Sequence, residues 1–118
     1  MQIETRLSDQ LARYLDLAVS ETKLTAANMA NIDTPGYKTR GFDFGMEIRK
    51  ALAGMDKGHP PAIAVHDVVG LISRPDGNNV SMDRESLDLA EAQLKFKTGV
   101  ALLRMENQRV LDAIRADK

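Results

Sequence analysis

Residues 26–38 read Ala26-Ala27-Asn28-Met29-Ala30-Asn31-Ile32-Asp33-Thr34-Pro35-Gly36-Tyr37-Lys38, and what this stretch terminates decides the fold. Pro35 disfavours helical geometry at Thr34 and Gly36 follows it, so a helix arriving from upstream stops near Asn31 to Asp33. Asn side chains suit such an end because they satisfy carbonyls that the last turn leaves free. Tyr37 is placed to lie over that end.

Upstream, residues 3–33 contain neither Gly nor Pro. Ile3, Leu7, Gln10, Tyr14, Leu17, Glu21, Leu24, Asn28 and Asn31 alternate four and three apart, a heptad seam that is apolar first and polar later. Downstream, residues 34–80 hold all four prolines and seven of the eight glycines, which marks an irregular middle. Within it, Met46–Gly54 has the spacing of two helical turns. Ala62–Val65 and Val68–Ile72 read as strand-like, with Arg74–Asn78 a turn, a pattern that fits either a small β-hairpin or a mobile connecting loop.

Residues 83–118 form a second arm without proline. Asp83 reads as its N-cap, with Met82 and Leu87 as a hydrophobic staple. Leu89, Phe96, Val100, Leu103, Val110 and Ile114 fall on one face. Gly99 costs ~1 kcal/mol against Ala inside a helix, so it marks either a close helix–helix approach or a bend. The expected fold is mostly α. An N-terminal helix (1–33) and a C-terminal helix (83–118) pack as an antiparallel hairpin or coiled coil. Between them lies an irregular Pro/Gly-rich segment (34–82) with room for a short helix and a small β-hairpin. The packing seam is assigned to Leu7, Tyr14, Leu17 and Leu24 on the first arm and to the six apolar positions just named on the second. Long stripes with so little else to cover them also call for partner helices from other chains.

Composition removes several function classes. Sixteen basic against seventeen acidic residues in 118 leave a net charge of −1, whereas a nucleic-acid binder needs a surplus of Lys and Arg. No run approaches the ~18 apolar residues of a membrane span, and no secretory signal is expected at the start. Cysteine is absent, which removes disulfides, thiolate metal sites and thiol nucleophiles together. His59 and His66 fit no zinc spacing and read as exposed loop residues. Asp76-Gly77-Asn78-Asn79 lacks the ligand pattern of an EF-hand and reads as a turn. With no phosphate-binding Gly-rich loop and no Gly-x-Ser-x-Gly, no catalytic, cofactor or metal site is assigned.

The segment Asn28, Ala30, Asn31, Thr34, Pro35, Gly36, Tyr37, Lys38 resembles the signature of the bacterial flagellar axial proteins, the rod and hook family. Arg40-Gly41-Phe42-Asp43-Phe44 after it, and Asp76 to Glu85 before the last arm, are most similar to proximal rod members. The resemblance implies a structural subunit with no cofactor, exported by the flagellar type III apparatus and assembled in the periplasm as part of the basal body. Its implied partners are copies of itself, other rod proteins, the export apparatus and membrane-ring components. Asn28, Asn31, Pro35 and Gly36 would set the turn, and Tyr37 and Lys38 would meet a neighbouring subunit. Another axial protein of the same family, or a soluble helical-hairpin adaptor, is the alternative.

Overall fold

A computed structural model describes residues 5–58 and 62–116. Helix α1 spans Arg6–Ala30, strand β1 Arg40–Gly41, helix α2 Phe44–Ala53, strand β2 His66–Asp67 and helix α3 Met82–Ala116, with a single 3₁₀ turn at Met55–Lys57. His59 lies outside the described residues, and His66 is exposed.

Helix α1 starts where Thr5 leaves the helical region and its hydroxyl accepts from the Ser8 N–H, while the Ser8 hydroxyl accepts from the Thr5 N–H. This reciprocal pair satisfies two of the amides that a helix start leaves free. The helix ends at Asn31, whose N–H donates to the Asn28 carbonyl at 3.2 Å, while the Ile32 N–H donates to the Met29 carbonyl at 3.3 Å.

Helix α3 begins differently from the sequence expectation. Ser81, not Asp83, is the cap: its hydroxyl accepts from the Arg84 N–H at 3.3 Å and its carbonyl from the Glu85 N–H at 2.9 Å. The chain is pinned just upstream, where the Val80 N–H donates to the Asn78 side chain at 2.8 Å, so Ser81 is the first residue free to turn. Asp83 then sits in the first turn, where its charge still favours the positive dipole end. Met82 and Leu87 are 40% and 60% exposed, and no staple forms.

The two long helices run antiparallel, and the molecule measures 69 × 27 × 21 Å. Its radius of gyration is 18.2 Å, against about 13–14 Å for a compact chain of this length. The residues of α3 buried against α1 are Glu85, Ala92, Gly99 and Glu106, spaced by seven. This line is rotated by roughly 50° from the expected apolar stripe. Small residues hold the centre because they let the backbones approach. A Cβ on Gly99 would come within 2.7 Å of Leu15 Cδ2 and 3.1 Å of Tyr14 Cδ1, so Gly99 marks the close approach and not a bend.

Helix α2 is capped by the Asp43 carboxylate, which accepts from the Met46 N–H at 3.0 Å. Phe44 meets Tyr14 edge-on at 5.4 Å and carries the Lys95 ammonium 4.0 Å above its ring, which ties α2 to both long helices. Buried Glu47 accepts from Lys50 at 3.1 Å and from the Ala64 N–H at 3.2 Å, and so draws the returning chain inward.

The two strand-like runs, 62–65 and 68–72, do not pair with each other; the small antiparallel sheet forms between β1 and β2. Arg40 pairs with Asp67 and Gly41 with His66, antiparallel, and the Val68 N–H donates to the Thr39 carbonyl at 2.9 Å. A two-residue hairpin turn needs positive φ, which His66 and Asp67 do not adopt, so the strand finds the chain leaving residue 38 instead.

Candidate functional site

The end of α1 and the start of α3 are joined by a set of Asn side chains that act as peptide groups. Asn28 is 2% exposed. Its Nδ2 donates to the Arg40 carbonyl at 2.8 Å and to Glu85 Oε2 at 3.1 Å. Its Oδ1 accepts from the Arg40 N–H and from the Tyr37 hydroxyl, both at 3.1 Å. The carboxamide thus meets both main-chain groups of Arg40 as a neighbouring strand would, and closes the outer edge of β1. All four of its hydrogen-bonding positions are used.

Asn31 closes its own helix end, donating to the Ala27 carbonyl at 2.8 Å and accepting from the Thr34 hydroxyl at 3.0 Å. Ala30 is the exposed last residue of α1, and Thr34 and Pro35 are exposed on the turn. Gly36 adopts φ +75° and its N–H donates to the Asp76 carbonyl at 2.9 Å. Gly77, at φ +86°, lies so close that a Cβ on it would be 3.4 Å from Gly36 Cα. The Lys38 ammonium donates to the Gly77 carbonyl at 2.5 Å and to the Ser73 hydroxyl at 3.4 Å. Tyr37 and Lys38, expected at a neighbouring subunit, hold contacts within the chain.

The long-range partners of this segment come from residues 73–85. Asn78 donates to the Asn31 and Thr34 carbonyls at 2.8 and 2.9 Å. Asn79 Oδ1 accepts from the buried Thr39 N–H at 2.7 Å. Arg74 donates to the Ile32 and Val80 carbonyls. No buried side-chain N or O lacks a partner among the described residues. Sequence reasoning singled out Asp76 to Glu85 but gave Asn78, Asn79 and Glu85 no partners. The available signal was two adjacent Asn residues after a Gly, opposite an Asn-rich helix end.

The far end of α1 is fastened in the same way. The Thr5 hydroxyl donates to buried Glu106 at 2.9 Å, and Arg109 grips the same carboxylate at 2.7 and 3.0 Å. Residues 107–116 of α3 extend beyond that contact. Arg109 and the Thr5 hydroxyl hold Glu106 below its ordinary pKa, and Glu106 raises that of Arg109. Glu85 is shifted the other way: burial raises its pKa, with the Asn28 and Arg84 contacts opposing and Asp88 adding to the rise.

Of the expected seam, Leu17 is buried, and Tyr14, Leu24, Leu89, Val100, Leu103 and Val110 are half-buried. Leu7, Phe96 and Ile114 are 48%, 41% and 39% exposed. The hollow at the junction amounts to about 50 Å³, far below the ~300 Å³ at which small-molecule pockets begin. No group of three or more metal-ligating side chains occurs among the described residues, and no described helix is long and apolar enough to cross a membrane. The arrangement fixes two helix ends against each other and sets the path by which the chain leaves α1.

No protein-family model matches the chain. Proteins named flagellar basal body rod protein FlgB do. That of Salmonella typhimurium is 37% identical over 108 residues, covering 75% of this chain and 78% of the relative. That of Yersinia ruckeri is 33% identical over 108 residues, covering 75% and 79%. That of Cereibacter sphaeroides is 31% identical over 130 residues, covering 96% and 99%.

Proposed function

The chain belongs to the FlgB family of flagellar basal body rod proteins, and from that premise we propose how it works. It is a structural subunit of the rod, not a catalyst. It leaves the cytoplasm through the flagellar type III export apparatus and takes its place in the periplasm, in the proximal rod. There its terminal helices pack laterally against copies of itself and other rod proteins, next to the membrane-ring components. The turn from Asn28 to Lys38 sets the angle at which the chain leaves α1.

One observation carries the assembly reading. Leu87, Leu94 and Met105 are 60%, 66% and 67% exposed and lie along the face of α3 turned away from α1. The stripe is roughly 27 Å long. Single exposed leucines are ordinary on a surface, but three large apolar side chains aligned on one outward helix face point to a surface meant for another chain. Packing of this kind between unlike faces does not close, so it extends into a helical assembly.

The test is genetic. Deleting the gene should leave cells without flagella and with basal bodies arrested before rod growth. The intact gene should restore motility, and a Leu94→Asp, Met105→Asp variant should not, although its purified chain keeps its helical content. Flagella on the deletion strain would end the proposal.

A further inference from the structure

Two features outside the junction answer one another. The first is a knob. In the loop after β2, Val69 and Ile72 are each 90% exposed, on either side of Gly70 at φ +82°. The cations beside them are tied to the chain's own oxygens, Lys38 to Gly77 and Ser73, Arg74 to Ile32 and Val80. The exposed Asp67 carboxylate meets no cation among the described residues.

The second feature is a groove of about 570 Å³ between α1 and α3, lined by Val19, Thr22, Lys23, Gln93, Phe96 and Lys97. Its apolar lining is open, with Val19 37% and Phe96 41% exposed. Lys23 and Lys97 give its rim a positive charge, and neither pairs with a carboxylate among the described residues. Lys95, close by, is already taken by Glu21 at 3.0 Å.

We propose that the Val69–Ile72 loop of one copy seats in the Val19–Phe96 groove of a second copy, with Asp67 facing the two lysines. The proposal rests on the rod reading and names a contact between its subunits. The volume suits two branched apolar side chains, and opposite charges border the two halves. Knob and groove are different patches, so each added copy leaves one of each free and growth continues.

The chain contains no cysteine, which permits a clean cross-linking test. Full-length Ile72→Cys and Val19→Cys chains are mixed at high concentration and oxidised. A disulfide needs the two Cα atoms within ~7 Å, so it reports seating. The mixed dimer should form at least tenfold faster than in a mixture of Ile72→Cys with Gln108→Cys. Lys97→Glu in the groove chain should slow it, and Asp67→Lys in the knob chain should restore it. A mixed dimer no faster than the control overturns the proposal, as does equal linkage between two Ile72→Cys chains. The rod reading fails separately. If Ile72→Asp cells swim while Leu94→Asp, Met105→Asp cells do not, the knob is lost and the rod stands. If the deletion strain keeps its flagella, the rod reading falls whatever the cross-linking gives.

Discussion

Asn28 and Glu85 stand 57 residues apart in the chain, yet Asn28 Nδ2 lies 3.1 Å from Glu85 Oε2 in a site closed to water. The contact joins the last turn of α1 to the first turn of α3. At the other end, Thr5 meets Glu106, so α1 is fixed to α3 by two buried glutamates three heptads apart. Register along a helix pair is otherwise weakly specified by small apolar residues, and these polar contacts supply it.

Asn28→Ala should destabilise the fold by about 2–4 kcal/mol in urea unfolding, because it strands the Arg40 main chain, the Tyr37 hydroxyl and Glu85 together. Asn28→Asp should cost more at neutral pH, since it sets a second carboxylate against Glu85. Equal stability of Asn28→Ala and the parent would remove the clasp from the account.

Gly99→Val should destabilise by about 2 kcal/mol or more, as the added atoms press on Leu15 and Tyr14. Gly99→Ala should cost less, because better helix propensity offsets part of the overlap. Combining Gly99→Ala with Leu15→Ala should show a coupling of at least ~0.5 kcal/mol in a double-mutant cycle. Simple additivity would mean that the helices do not meet there.

At Gly36 a Cβ would touch nothing within 4 Å, so Gly36→Ala measures backbone strain alone. The expected loss is about 1–2 kcal/mol, with Gly36→Asn milder because Asn tolerates positive φ. Gly77→Ala should cost about as much as Gly36→Ala, since Gly77 also holds a positive φ and its Cβ would meet Gly36 only at ordinary contact distance. Thermal unfolding of the three variants checks this.

Two glutamates give opposite pH dependences. Glu85 holds its proton to a higher pH in the folded chain than in the unfolded one. Its contribution is full below the ordinary carboxylate range and is lost as pH rises through its raised value. Glu106 has a lowered value, so its contribution is present above the ordinary range and is lost as pH falls through that lowered value. Mild acid should therefore tighten the Asn28 end first, and stronger acid should loosen the Thr5 end. Amide exchange measured at both ends against pH reads this directly, and Glu85→Gln should flatten the response at the Asn28 end alone.

The seam shows where sequence periodicity misleads. Leu17→Asp reads from the heptads as an assembly mutation, but Leu17 is 6% exposed within the chain and its replacement should unfold the hairpin. Large apolar residues mark a helix's sticky side, and a pair that packs closely buries its small ones at the centre. Ala92 and Gly99 carry little hydropathy, and Glu85 and Glu106 carry the wrong sign, so no reading of single-chain hydropathy would place the line there. The turn from Asn28 to Lys38 was plain from Pro35 and Gly36. Its partners were not, because Asn78 and Asn79 are ordinary turn residues until a second helix end is brought against them.

The sequence by itself determined the two helical arms, the break after Asn31 and the family, since helix propensity and Pro/Gly stops act within a few residues. Tertiary structure alone decided which residues meet across the arms, that Ser81 starts α3, and that β2 pairs with β1. Those choices depend on hydrogen-bond groups and side-chain volumes from distant positions, and their energies exist only once the helices lie side by side.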